Sequence, residues 1–327
     1  MAHIVTFGEA MIRLSPPPYR RLEQTQTLDV AVGGAELNVA VGVSRLGLSA
    51  AWVSCLPQNP LGRMACNKAN ELGVSTEWVQ WDPTGRMGLY FVEYGSSPRA
   101  SNVLYDRGGS SISRLEGVQF DWDKILAGAR LFHTTGITAA LSERSAYEVR
   151  AALEAAHERG ITVSYDLNYR ARLWSEARAR EVQEPLMRFV DVLITTEEDT
   201  ERVFGIRGTN FREVAKQLAE RYGFKIVTIT VRGDKSVLRN TWTALAYSGG
   251  EFFDDRVYEI EIVDRIGAGD AYAAGFLYGM DGGDVGRGVR YGVAFSALKQ
   301  TSWSDFCWST REETEAMMKG DGLRIAR

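Results

Sequence analysis

The strongest constraint on the fold is a rhythm in the sequence: short, β-branched apolar runs alternate with longer segments of helical period. The strand-like runs are Ile4–Phe7, Ala51–Cys55, Arg130–His133, Ile161–Tyr165, Val190–Ile194 and Lys225–Val231. Between them, Ala35–Leu46, Leu61–Leu72, Glu143–Arg159, Ser175–Phe189 and Phe211–Tyr222 have helical spacing. Parallel neighbours need a long crossover, usually a helix, so the alternation predicts βαβ units in an α/β fold. The expected result is a mainly parallel sheet covered by helices on both faces. From Ala271 onward the pattern is mainly helical, through Ala271–Met280, Val285–Lys299 and Thr310–Met318.

Two stretches break this rhythm. Ser15–Val32 holds three consecutive prolines, Pro16–Pro18, and then alternating residues through Leu28–Val32. Gly88–Arg107 carries two alternating runs, Leu89–Glu93 and Asn102–Tyr105, joined by the turn-rich Gly95-Ser96-Ser97-Pro98, which reads as a β-hairpin. Together, segments of about residues 11–32 and 85–107 are expected to form a small β-sheet over one end of the main sheet. They would be inserted in a single domain spanning residues 1–327.

The charge balance narrows the partners. With 38 basic against 42 acidic residues, a net charge of −4 and no block of like charges, the chain has no generic nucleic-acid or anionic-membrane surface. No apolar window approaches the ~18 residues that span a bilayer. Cys55, Cys66 and Cys307 are odd in number and show no CxxC, which reads as buried thiols in a reducing compartment. The N-terminus lacks a basic leader followed by an apolar stretch, and the expected location is cytoplasmic. Any anionic ligand must therefore be held by local features.

One such feature is Gly267-Ala268-Gly269-Asp270, placed before a small-residue helix. Its glycines leave backbone N–H groups uncovered at a helix N-terminus, where amides and helix dipole together favour an anion. Asp270 at that position serves either as a helix cap or as a reactive carboxylate. The chain contains no GxxxxGK[ST], so the feature is not a P-loop.

Asp264-Arg265-Ile266-Gly267-Ala268-Gly269-Asp270-Ala271-Tyr272 resembles the D-T-x-G-A-G-D-x-F signature of the ribokinase-like (PfkB) sugar kinases. Gly33-Gly34-Ala35-Glu36-Leu37-Asn38-Val39-Ala40, closed by Leu46-Gly47, resembles their N-terminal G-G-x-x-x-N-x-A…L-G pattern. The resemblance covers essentially the whole chain. It implies a three-layer α/β/α sandwich with a β-sheet lid, ATP and Mg²⁺ as cofactors, Asp270 as general base, and the amides of Gly267, Ala268 and Gly269 as an anion hole. It leaves room for a monovalent cation and implies a homo-oligomer joined through the lid.

Asp166-Leu167-Asn168-Tyr169-Arg170-Ala171-Arg172-Leu173-Trp174 is similar to the D-x-N-x-R-x-x-L-W stretch of 2-keto-3-deoxygluconate kinases, and Tyr105-Asp106-Arg107 to their lid Y-x-R. By this resemblance Gly34, Asn38, Tyr90, Tyr105, Arg107, Arg170 and Asp305 would bind a sugar acid, and Asn168 and Arg232 the nucleotide. Two arginines suit a carboxylate, since Arg offers paired donors; the bland reading makes both surface residues. Arg232 reads equally as an exposed strand-end residue. The family's N-x-x-E appears as Thr196-Glu197-Glu198-Asp199, leaving Glu197 or Asp199 to order Mg²⁺-bound water.

The implied activity is ATP-dependent phosphorylation of 2-keto-3-deoxygluconate at its terminal hydroxyl, giving the 6-phosphate. Two alternatives stand beside it. One is a kinase of the same fold acting on fructose, a different keto-deoxy acid or a nucleoside; the other, motivated by the altered N-x-x-E, is a non-catalytic ligand-binding or regulatory protein. His3, His133 and His157 read as structural, and Trp303 and Trp308 as core packing.

Overall fold

The computed structural model describes residues 2–320. Its strands, in chain order, are β1 (Ile4–Phe7), β2 (Met11–Ser15), β3 (Asp29–Gly33), β4 (Ala50–Pro57), β5 (Val74–Ser75), β6 (Val79–Asp82), β7 (Gly88–Glu93) and β8 (Asn102–Asp106). They continue as β9 (Leu131–Thr135), β10 (Thr162–Asp166), β11 (Val192–Thr195), β12 (Ile226–Ser236), β13 (Arg239–Ser248), β14 (Glu251–Asp254) and β15 (Tyr258–Glu261).

The larger sheet runs β14-β13-β12-β11-β10-β9-β1-β4-β5, with β6 against β4 and β15 against β13. From β12 to β5 every pairing is parallel, as the βαβ rhythm requires. Successive strand residues point to opposite faces, and the burial follows: Ile4, Leu131 and Val192 enter one core, while Val5, Phe132 and Leu193 enter the other. Helices Ala35–Leu46, Pro60–Glu71, Ala268–Met280 and Val285–Gln300 cover the first face. Helices Glu143–Glu158, Glu176–Gln183, Glu197–Phe204 and Phe211–Tyr222 cover the second, completing a three-layer sandwich.

A separate four-stranded sheet, β3-β2-β7-β8, is the lid. The β7–β8 pair is the hairpin expected over Gly88–Arg107. The lid grows directly out of the main sheet, because only Gly8, Glu9 and Ala10 separate β1 from β2.

Several expectations need correction. The helix over Ser175–Phe189 is broken into an α-helix, Glu176–Gln183, and a 3₁₀ turn, Glu184–Phe189, because Pro185 offers no N–H to continue the ladder. Beyond β12 the chain makes an antiparallel run, β13–β15, which the sequence reading did not anticipate. Trp303 and Trp308 are 38% and 39% exposed rather than core residues, and Trp303 lies over the Arg13 guanidinium. The three cysteines are free and buried, as expected. No helix among the described residues is long and apolar enough to cross a membrane.

Candidate active site

In open parallel sheets, ligands bind beyond the carboxyl ends of the strands, where chain direction switches. Here β1 sits between β4 and β9, and a cleft of about 660 Å³ opens past the ends of β1, β10 and β11. The lid closes one side of it through Met11, Tyr90, Val103 and Tyr105. Every residue singled out above for sugar, nucleotide, metal or catalysis lines this one cleft.

The Gly267–Asp270 turn opens the helix Ala268–Met280, and Gly267 caps it with φ +82°. A side chain there would be strained by that backbone, and its Cβ would stand 2.1 Å from the Asp305 carbonyl oxygen. Gly267 thus lets the turn rest against the segment that carries Asp305. The first N–H groups of a helix have no acceptor within it. Of the three amides nominated for the anion hole, however, that of Ala268 donates to Arg265 O (3.2 Å) within the turn. An incoming anion would find Gly269, whose surroundings are open, at the mouth of the helix.

Asp270 is half-buried, and its Oδ2 accepts a hydrogen bond from Asn38 Nδ2 (2.6 Å). Burial pushes its carboxyl up to about 6, while the Asn38 bond and the positive charge of Arg170 pull it down. Asn38 is itself oriented by Gly34 N–H, which donates to Asn38 Oδ1 (3.3 Å). Gly34 must be glycine for space: a Cβ would meet the Glu9 carbonyl at 2.0 Å.

Arg170 stands among Asp166, Asp199 and Asp270, whose carboxyls are all raised chiefly by burial and all opposed by its charge. Asn168, at φ +40°, closes a turn on Asp166 by donating its N–H to Oδ1 (3.1 Å). Thr196 caps the helix Glu197–Phe204, its Oγ1 accepting from Asp199 N (3.0 Å). The altered N-x-x-E motif is therefore an intact helix start. No three acidic, histidine or cysteine side chains among the described residues are placed to hold a metal directly. Crowded, desolvated carboxylates facing an open cleft do fit a Mg²⁺ that keeps its water and arrives with a nucleotide.

On the lid side, the rings of Tyr90 and Tyr105 stack at 5.9 Å. Tyr90 OH donates to Asp305 Oδ2 (2.5 Å). Arg107 was expected to face a ligand carboxylate, but Nε donates to Glu9 Oε2 (2.8 Å) and Nη2 bonds the same oxygen. Glu9 is buried and also receives Ser110 Oγ (2.5 Å). A charge already paired attracts a second carboxylate less strongly, so Arg107 is better described as a cleft-lining residue held by Glu9.

The sequence reading missed Glu9, Asp166 and Glu36, which also line the cleft. Glu36 is buried in the wall of the cleft, where Thr135 N, Thr135 Oγ1 (2.7 Å) and Thr138 Oγ1 (2.7 Å) bond its Oε1; burial lifts its carboxyl to about 7. The signal for Glu9 was available: a Gly-Glu pair directly after the first strand. Asp166 stood inside a quoted motif without a role.

The arrangement offers a basic carboxylate, oriented by an amide, beside a helix mouth able to receive an anion. That is the apparatus of phosphoryl transfer to a hydroxyl. The comparisons agree. The pfkB family carbohydrate kinase profile matches residues 1–304, and the chain belongs to this family. It is 40% identical to a 2-dehydro-3-deoxygalactonokinase of Haloferax volcanii, over 100% of this chain and 99% of that protein. It is 30% identical to a 5-dehydro-2-deoxygluconokinase of Bacillus thuringiensis, over 97% and 94% of the two chains. The crystal structure of a 2-dehydro-3-deoxygluconokinase from Thermotoga maritima superposes with a TM-score of 0.94 at 44% identity, over 97% and 98% of the chains. The protein is a carbohydrate kinase of ribokinase-like fold.

Proposed function

We propose that this kinase transfers the terminal phosphoryl group of ATP to the terminal hydroxyl of 2-keto-3-deoxygluconate (2-dehydro-3-deoxy-D-gluconate), giving the 6-phosphate. The observation that carries the reading is Asp270, fixed by Asn38 at the mouth of the glycine turn with its carboxyl raised to about 6. A carboxylate of that basicity is ionised at neutral pH. As the substrate oxygen bonds to phosphorus and the bond to the leaving oxygen breaks, Asp270 takes the hydroxyl proton. The amides at the start of Ala268–Met280 face the transferred group, with Gly267 allowing the turn its shape. Asp199 and Glu197 would hold the water of a Mg²⁺ arriving with the nucleotide, which would supply charge neutralisation, and Asn168 and Arg232 would serve the same nucleotide side.

The sugar side consists of Gly34, Asn38, Tyr90, Tyr105, Arg107, Arg170 and Asp305. Closure of the lid excludes water and so protects ATP from hydrolysis. The names of the relatives support a keto-deoxy sugar acid. The 40% identity to a galactonate enzyme beside 44% to a gluconate enzyme favours the epimer, 2-keto-3-deoxygalactonate, as a second substrate. The outer face of the lid supports a homo-oligomer joined through it.

The test is ATP consumption measured against both keto-deoxy epimers, 5-keto-2-deoxygluconate and fructose. The highest kcat/KM is expected for 2-keto-3-deoxygluconate. Asp270→Asn should lower kcat by about 10²-fold or more with the fold intact. Arg107→Ala and Arg170→Ala should raise KM for the acids and leave that for fructose. Equal turnover by Asp270→Asn would refute the mechanism, and a preference for fructose would refute the substrate.

A further inference from the structure

Arg13 is fully buried on β2 of the lid, far in sequence from the two carboxylates it pairs with. Its Nη1 lies 2.7 Å from Asp305 Oδ1 and 2.8 Å from Asp264 Oδ2. Its Nε donates to Ser15 Oγ (3.1 Å), and Nη2 donates to Tyr94 OH. The guanidinium is flanked by the rings of Tyr94 (5.5 Å) and Trp303 (5.4 Å). Each of its three nitrogens thus has a partner, as a charge removed from water requires.

The two carboxylates that share Nη1 belong to different parts of the site. Asp305 is the proposed sugar ligand, its Oδ2 receiving Tyr90 OH from the lid. Asp264 starts the turn that leads to Gly267–Asp270. Asp264 Oδ1 accepts from Ile266 N (3.0 Å), and Oδ2 accepts from Tyr94 OH (2.9 Å) and Ser304 N (3.2 Å). Lys299, also fully buried, donates to the Asp264 carbonyl from behind. One lid side chain therefore sets the carboxylate that would meet the sugar and clamps the base of the turn that would meet the phosphoryl group.

We propose that Arg13 is a positioning residue that couples sugar recognition to the phosphoryl-transfer turn through the lid. The proposal rests on the assignment of Asp305 to the sugar. If Arg13 moves, Asp305 and Asp264 lose a shared buried ion-pair partner at the same moment. Sugar affinity and turnover then fall together, while the nucleotide side, built on β10–β12, is not touched.

The experiment compares wild type with Arg13→Lys and Arg13→Met in the same kinase assay, with sugar and ATP varied separately and folding followed by thermal melting. Arg13→Lys keeps the buried charge but lacks the planar fork that serves both carboxylates, Tyr94 and Ser15. It is expected to fold, to raise KM for the sugar about tenfold and to lower kcat, with KM for ATP unchanged. Arg13→Met should show a larger loss in the same direction. A purely structural arginine would reduce the active fraction, lowering apparent kcat with sugar KM unchanged; that result from Arg13→Lys overturns the proposal, whether or not Arg13→Met folds. Wild type preferring a neutral sugar would refute the substrate assignment alone, and the Arg13 comparison would then be read on that sugar.

Discussion

At the scale of single residues, Asn38 shows how one side chain connects two tasks. Its Oδ1 is anchored by Gly34 N–H and its Nδ2 donates to Asp270. The sequence reading assigned Asn38 to the sugar; the geometry adds that it orients Asp270, the proposed base. A pH prediction follows from the sign of each contribution. As the proposed base, Asp270 must be ionised to accept a proton, and burial raises its carboxyl to about 6. kcat/KM should therefore be flat near neutrality and fall as pH drops through about 6. The bond from Asn38 lowers that value, so Asn38→Ala should move the acid limb to higher pH, besides raising KM for the sugar. Profiles of kcat/KM for the two proteins between pH 5 and 8 check this, and an unmoved limb would separate Asn38 from the base. Single residues were legible where spacing carries chemistry, as in Gly267–Asp270 and Gly34–Asn38. Arg107 was legible only as a cation: its pairing with Glu9 joins residues 98 positions apart, and no local pattern announces it.

At the scale of elements, the boundaries read best where pattern and punctuation coincide. Ala35–Leu46 and Phe211–Tyr222 match the reading residue for residue, because Gly47 and Gly223 end them in left-handed conformations. The small helix Glu197–Phe204 was missed because its acidic first turn was read as a metal motif, although Thr196 is also a good cap. The helix that carries the Gly267–Asp270 turn was read as rich in small residues, and packing explains why. A Cβ on Gly275 would stand 2.6 Å from the Tyr291 carbonyl oxygen and 2.9 Å from Gly292 Cα. Helices Ala268–Met280 and Val285–Gln300 are thus in backbone contact, which holds the turn rigid from below. Gly275→Ala must push the pair apart and should cost about 1–3 kcal/mol in urea unfolding. No loss of stability would mean that the two helices can separate freely, contrary to this packing.

At the scale of the whole molecule, the lid raises a question that the catalytic cleft does not answer. Paired residues on neighbouring strands share a face. The registers Arg13↔Tyr90 and Tyr90↔Tyr105 put these three side chains on the face toward the cleft. The opposite face carries an apolar centre of Ile12, Leu14, Val30, Val32, Leu89, Phe91 and Leu104, with Glu93, Asn102 and Asp106 at its margins. A sheet with one face over a site normally presents polar residues to water on the other. Ile12 and Val32 are covered by the molecule's own core, but Val30 and Leu104 are 51% and 54% exposed, and Leu22, Leu28 and Phe91 join Leu104 around a shallow apolar hollow. A second copy of the lid, offering the same apolar surface across a two-fold axis, would cover both hollows at once. Sedimentation velocity should therefore show a dimer, and Leu104→Glu with Val30→Asp should shift it toward monomer. Because β2, which bears Arg13, and β7, which bears Tyr90, form the inner side of this same sheet, the monomeric variant should also lose affinity for the sugar while KM for ATP holds. A wild-type monomer would refute the interface, and a monomeric variant with unchanged sugar KM would show that the lid needs no partner to keep its shape.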